Sequence, residues 1–115
     1  MKFLYKIYSG YDGFTPARIP ERLLPRRVLR LSWARYMDSV EVGDEVWIYF
    51  YGPHNFRPGV YAKGFIQTKV PDESQAHLRV REYATDAPLT DAITTERIAR
   101  AVSARVWLWR QPGCG

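Results

Sequence analysis

The chain has 115 residues, 46% of them hydrophobic and 25% charged, which makes one globular domain over 1–115 and excludes a disordered chain. Seventeen Lys and Arg against twelve Asp and Glu give a net charge of +5, and aromatics reach 15%, so the balance leans towards a nucleic-acid partner. A single cysteine, Cys114, excludes an internal disulfide framework and a cysteine-based metal cluster, and no apolar run approaches the ~20 residues of a membrane span.

Met1 to Lys6 lacks the sustained apolar core of a secretory leader, so the expected compartment is the cytoplasm. Phe3 to Tyr8 reads as an opening strand with Phe3, Tyr5 and Ile7 on one face and Leu4, Lys6 and Tyr8 on the other. Two glycines, Gly10 and Gly13, end it. Pro16, Pro20 and Pro25 permit only short helical turns between them, with Pro20 suited to a first helical position. Val28 to Tyr36 fits neither the helical nor the strand period, and a short helix near Ser32 to Met37, with Ser32 as its N-cap, is the reading chosen.

Gly43-Asp44 forms a tight entry into the next strand, in which Val46, Ile48 and Phe50 alternate with Trp47, Tyr49 and Tyr51. Val60 to Val70 is the third strand, with Val60, Ala62, Gly64 and Ile66 on one face and Tyr61, Lys63 and Phe65 on the other. Gly64 marks a bend or a close backbone approach. After the polar turn Pro71-Asp72-Glu73-Ser74, His77 to Ala84 is a fourth strand, and Thr94 or Thr95 caps a helix whose buried stripe is Ile98, Ala101 and Val102. Val106 to Trp109 is a last strand. Strands outnumber helices in a mixed order, so the expected fold is α+β: a small mixed or antiparallel β-barrel, partly open, with short flanking helices.

Four pieces of this pattern resemble the PUA-like superfamily, and within it the EVE domains. They are the strand ending in Tyr8-Ser9, the Trp33 segment, Gly43-Asp44 leading into Val46-Trp47-Ile48-Tyr49, and Pro58-Gly59-Val60-Tyr61-Ala62-Lys63-Gly64-Phe65-Ile66. The resemblance implies a PUA-like pseudobarrel whose pocket accepts a flipped or unpaired base, often a modified one.

The residues themselves supply candidates for that task. Tyr8, Trp33, Tyr49 and Tyr51 are the expected pocket walls, since stacking on an aromatic ring contributes about 1–3 kcal/mol per base. The competing reading of these rings is barrel core. Ser9 and Asn55 are the candidates for hydrogen bonds to a base edge. Arg18, Arg22, Arg26, Arg27, Arg30 and Arg35 make a basic segment suited to phosphates, with Arg26, Arg27, Arg30 and Arg35 its phosphate candidates, and Arg57 and Lys63 are further ones. Arg79 and Arg81 share a strand face and would extend the same patch; a solvated basic surface is the bland alternative.

No catalytic set is legible: there are no paired carboxylates beside a base, no Ser-His-Asp candidates, no glycine-rich phosphate loop and no zinc spacing. His54 has no carboxylate or second histidine near it in sequence. The expectation is therefore a non-catalytic nucleic-acid-binding domain, for DNA or RNA, using no cofactor or metal. A nucleoside or other small-molecule binder and a homodimerising interaction module are the alternatives.

Overall fold

Alternation and three register shifts, all along β4, explain most of this architecture. The computed structural model describes residues 2–32, 40–89, 97 and 108–109. Its strands are β1 (Lys2–Tyr8), β2 (Val28–Ser32), β3 (Glu45–Tyr51), β4 (Gly59–Val70), β5 (Gln75–Tyr83) and the two-residue β6 (Leu108–Trp109). They form one mixed sheet in the order β2-β5-β4-β3-β1-β6, curled into a half-barrel. β1 runs parallel to both β3 and β6, and the other pairs are antiparallel. A parallel pair needs a crossover. The segment between β1 and β3 supplies it, carrying a 3-10 turn at Pro16–Arg18, the short helix α1 (Ile19–Arg22) and β2.

The inner face of the curl is the core. Phe3, Tyr5 and Ile7 of β1, Val46, Ile48 and Phe50 of β3, and Ala76, Leu78 and Val80 of β5 are buried together, as alternation requires. Phe14 and Ile19 close one end of it, and Phe14 meets Phe50 edge to face at a centroid distance of 5.1 Å. Val46, Ile48, Phe50 and Ile19 have no exposed surface. The Gly-Asp turn is tied to this sheet through backbone and side chain. Gly43 N donates to Ile66 O at 2.8 Å, Ile66 N donates to Asp44 O at 2.9 Å, and the Asp44 carboxylate accepts from Glu41 N at 2.9 Å.

Three elements differ from the sequence reading. Tyr61, expected on the face of β4 opposite Ala62 and Ile66, lies with them in the core. The register slips between Ile48 and Tyr49: Ile48 faces Ala62, Tyr49 faces Val60, and Tyr61 is the unpaired residue of a bulge. That rotation turns its ring inward against Phe50 and Phe56, while its hydroxyl donates to Arg57 O at 2.6 Å. Burial raises the Tyr61 phenol above its ordinary value of 10.0, with the nearby Arg57 charge acting in the opposite direction.

The ambiguous segment begins as strand rather than helix. Val28–Ser32 pairs with β5, so Ser32 closes a strand instead of capping a helix, and the rest of the expected helix falls on residues 33–39, outside the described part. The fourth strand starts at Gln75, two residues before the expected His77. The helix expected after Thr94 lies outside the described residues but for Arg97.

Gly64 behaves as a close approach. A Cβ there would meet the Arg79 carbonyl oxygen, and the β4–β5 register slips beside it, between Lys63 and Gly64. Each such bulge adds local twist, which is how an open sheet curls towards a barrel. The hydroxyl of the buried Tyr5 donates to Ser32 O at 2.8 Å, joining β1 to the edge strand β2. Among the described residues no helix is long and apolar enough to cross a membrane.

Candidate nucleic-acid interface

The parallel register of β1 and β3 sets Lys6 beside Tyr49 and Tyr8 beside Tyr51, so that their carboxyl ends share one edge of the sheet. Tyr8 and Tyr51 stand 5.2 Å apart by ring centroid, Tyr49 and Tyr51 6.2 Å, and Tyr8 meets Tyr11 edge to face at 5.1 Å. Lys6 Nζ lies 4.9 Å from the Tyr51 centroid and 5.8 Å from that of Tyr49. Three of the four expected pocket walls are thus brought together. The fourth, Trp33, lies outside the described residues, as does Arg35.

Ser9 sits beneath this cluster with no exposed surface. Its N–H donates to Tyr51 O at 2.9 Å, its carbonyl accepts from Gly13 N at 3.0 Å, and its Oγ is 2.8 Å from His54 Nδ1. The imidazole tautomer decides which of the last two donates. The serine therefore fastens the loop after β3 onto the end of β1. Two glycines make the fit: a Cβ on Gly52, whose φ is +134°, would strike Ser9 Oγ, and one on Gly10 would strike the Tyr8 ring. Asn55 and Arg57 are exposed on the Gly52–Pro58 loop.

Between β1 and β2 the structure holds a cavity of about 350 Å³. Tyr5, Ile7, Phe14 and Leu31 supply apolar wall, and Tyr11, Asp12, Arg22 and Arg30 supply polar groups. Arg22 lies 4.3 Å over the Phe14 ring and 3.4 Å from Asp12 Oδ2. Tyr11 is 44% exposed, and belongs both to the cavity rim and to the tyrosine cluster.

The remaining cations fall into two places. Lys63 lies on the outer face, its Nζ 4.3 Å over the Trp47 ring, in a groove of about 640 Å³ that Glu45, Arg81 and Glu82 also line. Arg26, Arg27 and Arg30 are exposed at and just before β2. The β2–β5 register brings Arg79 beside Val28 and His77 beside Arg30, so arginines distant in sequence share one edge of the sheet.

Sequence reasoning placed arginines before β2 and aromatics on β3, but it did not assign the cavity between β1 and β2. Tyr11, Asp12 and Arg22 meet there only because the sheet curls, and no local spacing announces that. With the geometry in view, comparison adds nothing further: no protein-family model, curated protein or solved structure matches the chain.

Proposed function

We propose that this chain is a non-catalytic nucleic-acid-binding domain of the PUA-like, EVE type, which holds one base, modified or unmodified, while arginines hold the flanking phosphates. The observation that carries the reading is the cavity between β1 and β2. At about 350 Å³ it has the size and mixed lining of a small-ligand site, with apolar walls and a few polar groups at one side. A nucleobase needs that combination: flat apolar contact for its faces and hydrogen-bonding groups for its edge.

In this reading Tyr11 stacks on the captured base, Asp12 accepts from an exocyclic amine, and Arg22 and Arg30 meet the phosphates on either side. Tyr8, Tyr49 and Tyr51 offer a platform for a neighbouring base. Extracting a base costs a few kcal/mol of unstacking, so an unpaired site is the cheapest partner. The Ser9–His54 pair gives no reason to add catalysis. A serine nucleophile must reach its substrate and a histidine base is oriented by a third group. Ser9 is fully buried, and among the described residues no carboxylate is hydrogen-bonded to His54.

Fluorescence anisotropy with single-stranded oligonucleotides, with and without methylated bases, tests the reading. Tyr11→Ala is expected to weaken binding by about tenfold, the lower half of the stacking range. No binding at low salt by the wild type, or full affinity in Tyr11→Ala and Tyr51→Ala together, overturns it. A thermal-shift series with free nucleosides separates the small-molecule alternative, because only the oligonucleotide mode loses affinity steeply with salt.

A further inference from the structure

Among the described residues, three non-glycine positions have positive φ: Arg26 at 67°, Arg27 at 60° and Ser74 at 51°. Ser74 caps a 3-10 turn at the β4–β5 connection, an ordinary place for such a residue. Two consecutive arginines in the left-handed region are another matter. Glycine takes this conformation freely and asparagine compensates with a local hydrogen bond, whereas arginine does neither.

The backbone around them is firmly held. Leu24 and Val28 exchange hydrogen bonds at 2.8 and 3.3 Å across the turn, and Val80 N donates to Arg27 O at 2.9 Å. The side chains contribute little to that hold. Both are exposed, among the described residues neither side chain forms an ion pair or a hydrogen bond, and Arg27 lies over the Tyr83 ring at 5.4 Å. The fold thus tolerates backbone strain at two positions where glycine would be better and where packing does not ask for arginine. Strain that the surrounding structure enforces is characteristic of sites with a task.

We propose that the Arg26-Arg27 turn is a preorganised clamp for two successive phosphates of a single-stranded nucleic acid. This rests on the base-capture reading above and adds the path of the strand. Adjacent Cα atoms are 3.8 Å apart, and long side chains from a rigid tip span neighbouring phosphates without first ordering a loop. From the tip the charge continues through Arg79, beside Val28, to Arg30 at the cavity. A strand leaving its captured base at the cavity therefore follows the β2 edge to the turn. Guanidinium groups suit this role because their planar fork meets two phosphate oxygens at once.

The test uses the full chain and a short fluorescein-labelled single-stranded oligonucleotide of mixed sequence, titrated over a range of salt. Arg26→Gly with Arg27→Gly relieves the strain, so the thermal midpoint holds or rises. At the same time affinity at low salt falls by about tenfold, and the slope of log affinity against log salt becomes shallower by about 1.4, two single-strand phosphates' worth. Arg26→Lys with Arg27→Lys keeps the slope and loses part of the affinity. Wild-type affinity and slope in the glycine variant overturn the clamp while leaving base capture standing. Equal binding of a poly-glutamate peptide by the wild type overturns the phosphate assignment. A wild type that binds no oligonucleotide overturns both readings.

Discussion

On the outer face of β1, β3 and β4, two lysines lie over rings: Lys6 Nζ is 4.9 Å from the Tyr51 centroid and Lys63 Nζ is 4.3 Å from that of Trp47. Along β2 and β5, Arg26, Arg30 and Arg79 are exposed, and none is paired with a carboxylate among the described residues; Arg79 makes one long contact with Gln67 at 3.5 Å. A cation held over an aromatic face gains about 0.5–2 kcal/mol according to its exposure, and turning outward to a phosphate gives that up. The arginines give up nothing comparable. The same net charge of +5 is therefore distributed between a region that uses its cations internally and a region that presents them. Lys63, a phosphate candidate by sequence, belongs to the first region and Arg26 and Arg30 to the second, while Arg27, 5.4 Å over the Tyr83 ring, falls between them.

Gly64 stands at the boundary between these regions, and replacing it breaks the comparison most severely. Its bulge carries the sheet from the Lys63–Glu82 pair to the Gly64–Val80 pair, leaving Arg81 unpaired. In Gly64→Ala the new methyl meets the Arg79 carbonyl oxygen, which is backbone and cannot rotate away. We expect a loss of about 3 kcal/mol by chemical denaturation, the upper end of the usual cost of overpacking. A wild-type denaturation midpoint would show that β4 and β5 do not approach so closely.

Gly52→Ala ranks next. Its φ of +134° is unfavourable for alanine, and the added Cβ runs into Ser9 Oγ and crowds Tyr8. A destabilisation of about 1–3 kcal/mol should appear in thermal melts. Ser9→Ala in the same background should recover part of it, since the obstructing oxygen is removed. Without that recovery, the loop after β3 is not fastened through Ser9.

A milder pair of variants sharpens the contrast directly. Arg79→Ala should flatten the salt dependence of oligonucleotide binding by about 0.7 in log–log slope, whereas Lys63→Met should leave the slope unchanged. Equal slopes for both variants would erase the distinction between engaged and presented cations.

How much of this was legible in the sequence follows from the range of the forces involved. Alternation is local, so β1 and β3 were readable nearly to the residue, and Gly64 announced its close approach. Tyr61 was misplaced because a bulge breaks the period of two, and no residue type obliges a bulge to form. The Arg26-Arg27 turn carried no signal because the usual residues of left-handed turns, glycine and asparagine, are absent from it. Val28–Ser32 looked ambiguous because Val28, Leu29 and Leu31 are all buried, which hides alternation. The cavity between β1 and β2 depends on the curl of the whole sheet. Of the candidate residues, the tyrosines were grouped correctly by strand face, but the parallel register that sets Tyr8 against Tyr51 joins segments far apart in the chain.

Tyr61 yields the smallest expected effect and the one with a definite pH signature. Its hydroxyl donates to Arg57 O, tying the β3–β4 loop, and hence Asn55 and Arg57, to the core. Tyr61→Phe removes that bond at a cost of about 1 kcal/mol near neutral pH. Burial holds the folded phenol above its ordinary 10.0, so the folded chain keeps a proton that the unfolded chain releases first. The stability this group contributes is complete below pH 10 and is lost as pH rises through its folded value. The difference in unfolding free energy between wild type and Tyr61→Phe should therefore shrink as denaturant titrations are moved above pH 10. A gap that stays constant with pH would mean that the buried hydroxyl does not hold its proton more tightly in the folded state, and the loop would then owe its position to Phe56 packing on the Tyr61 ring alone.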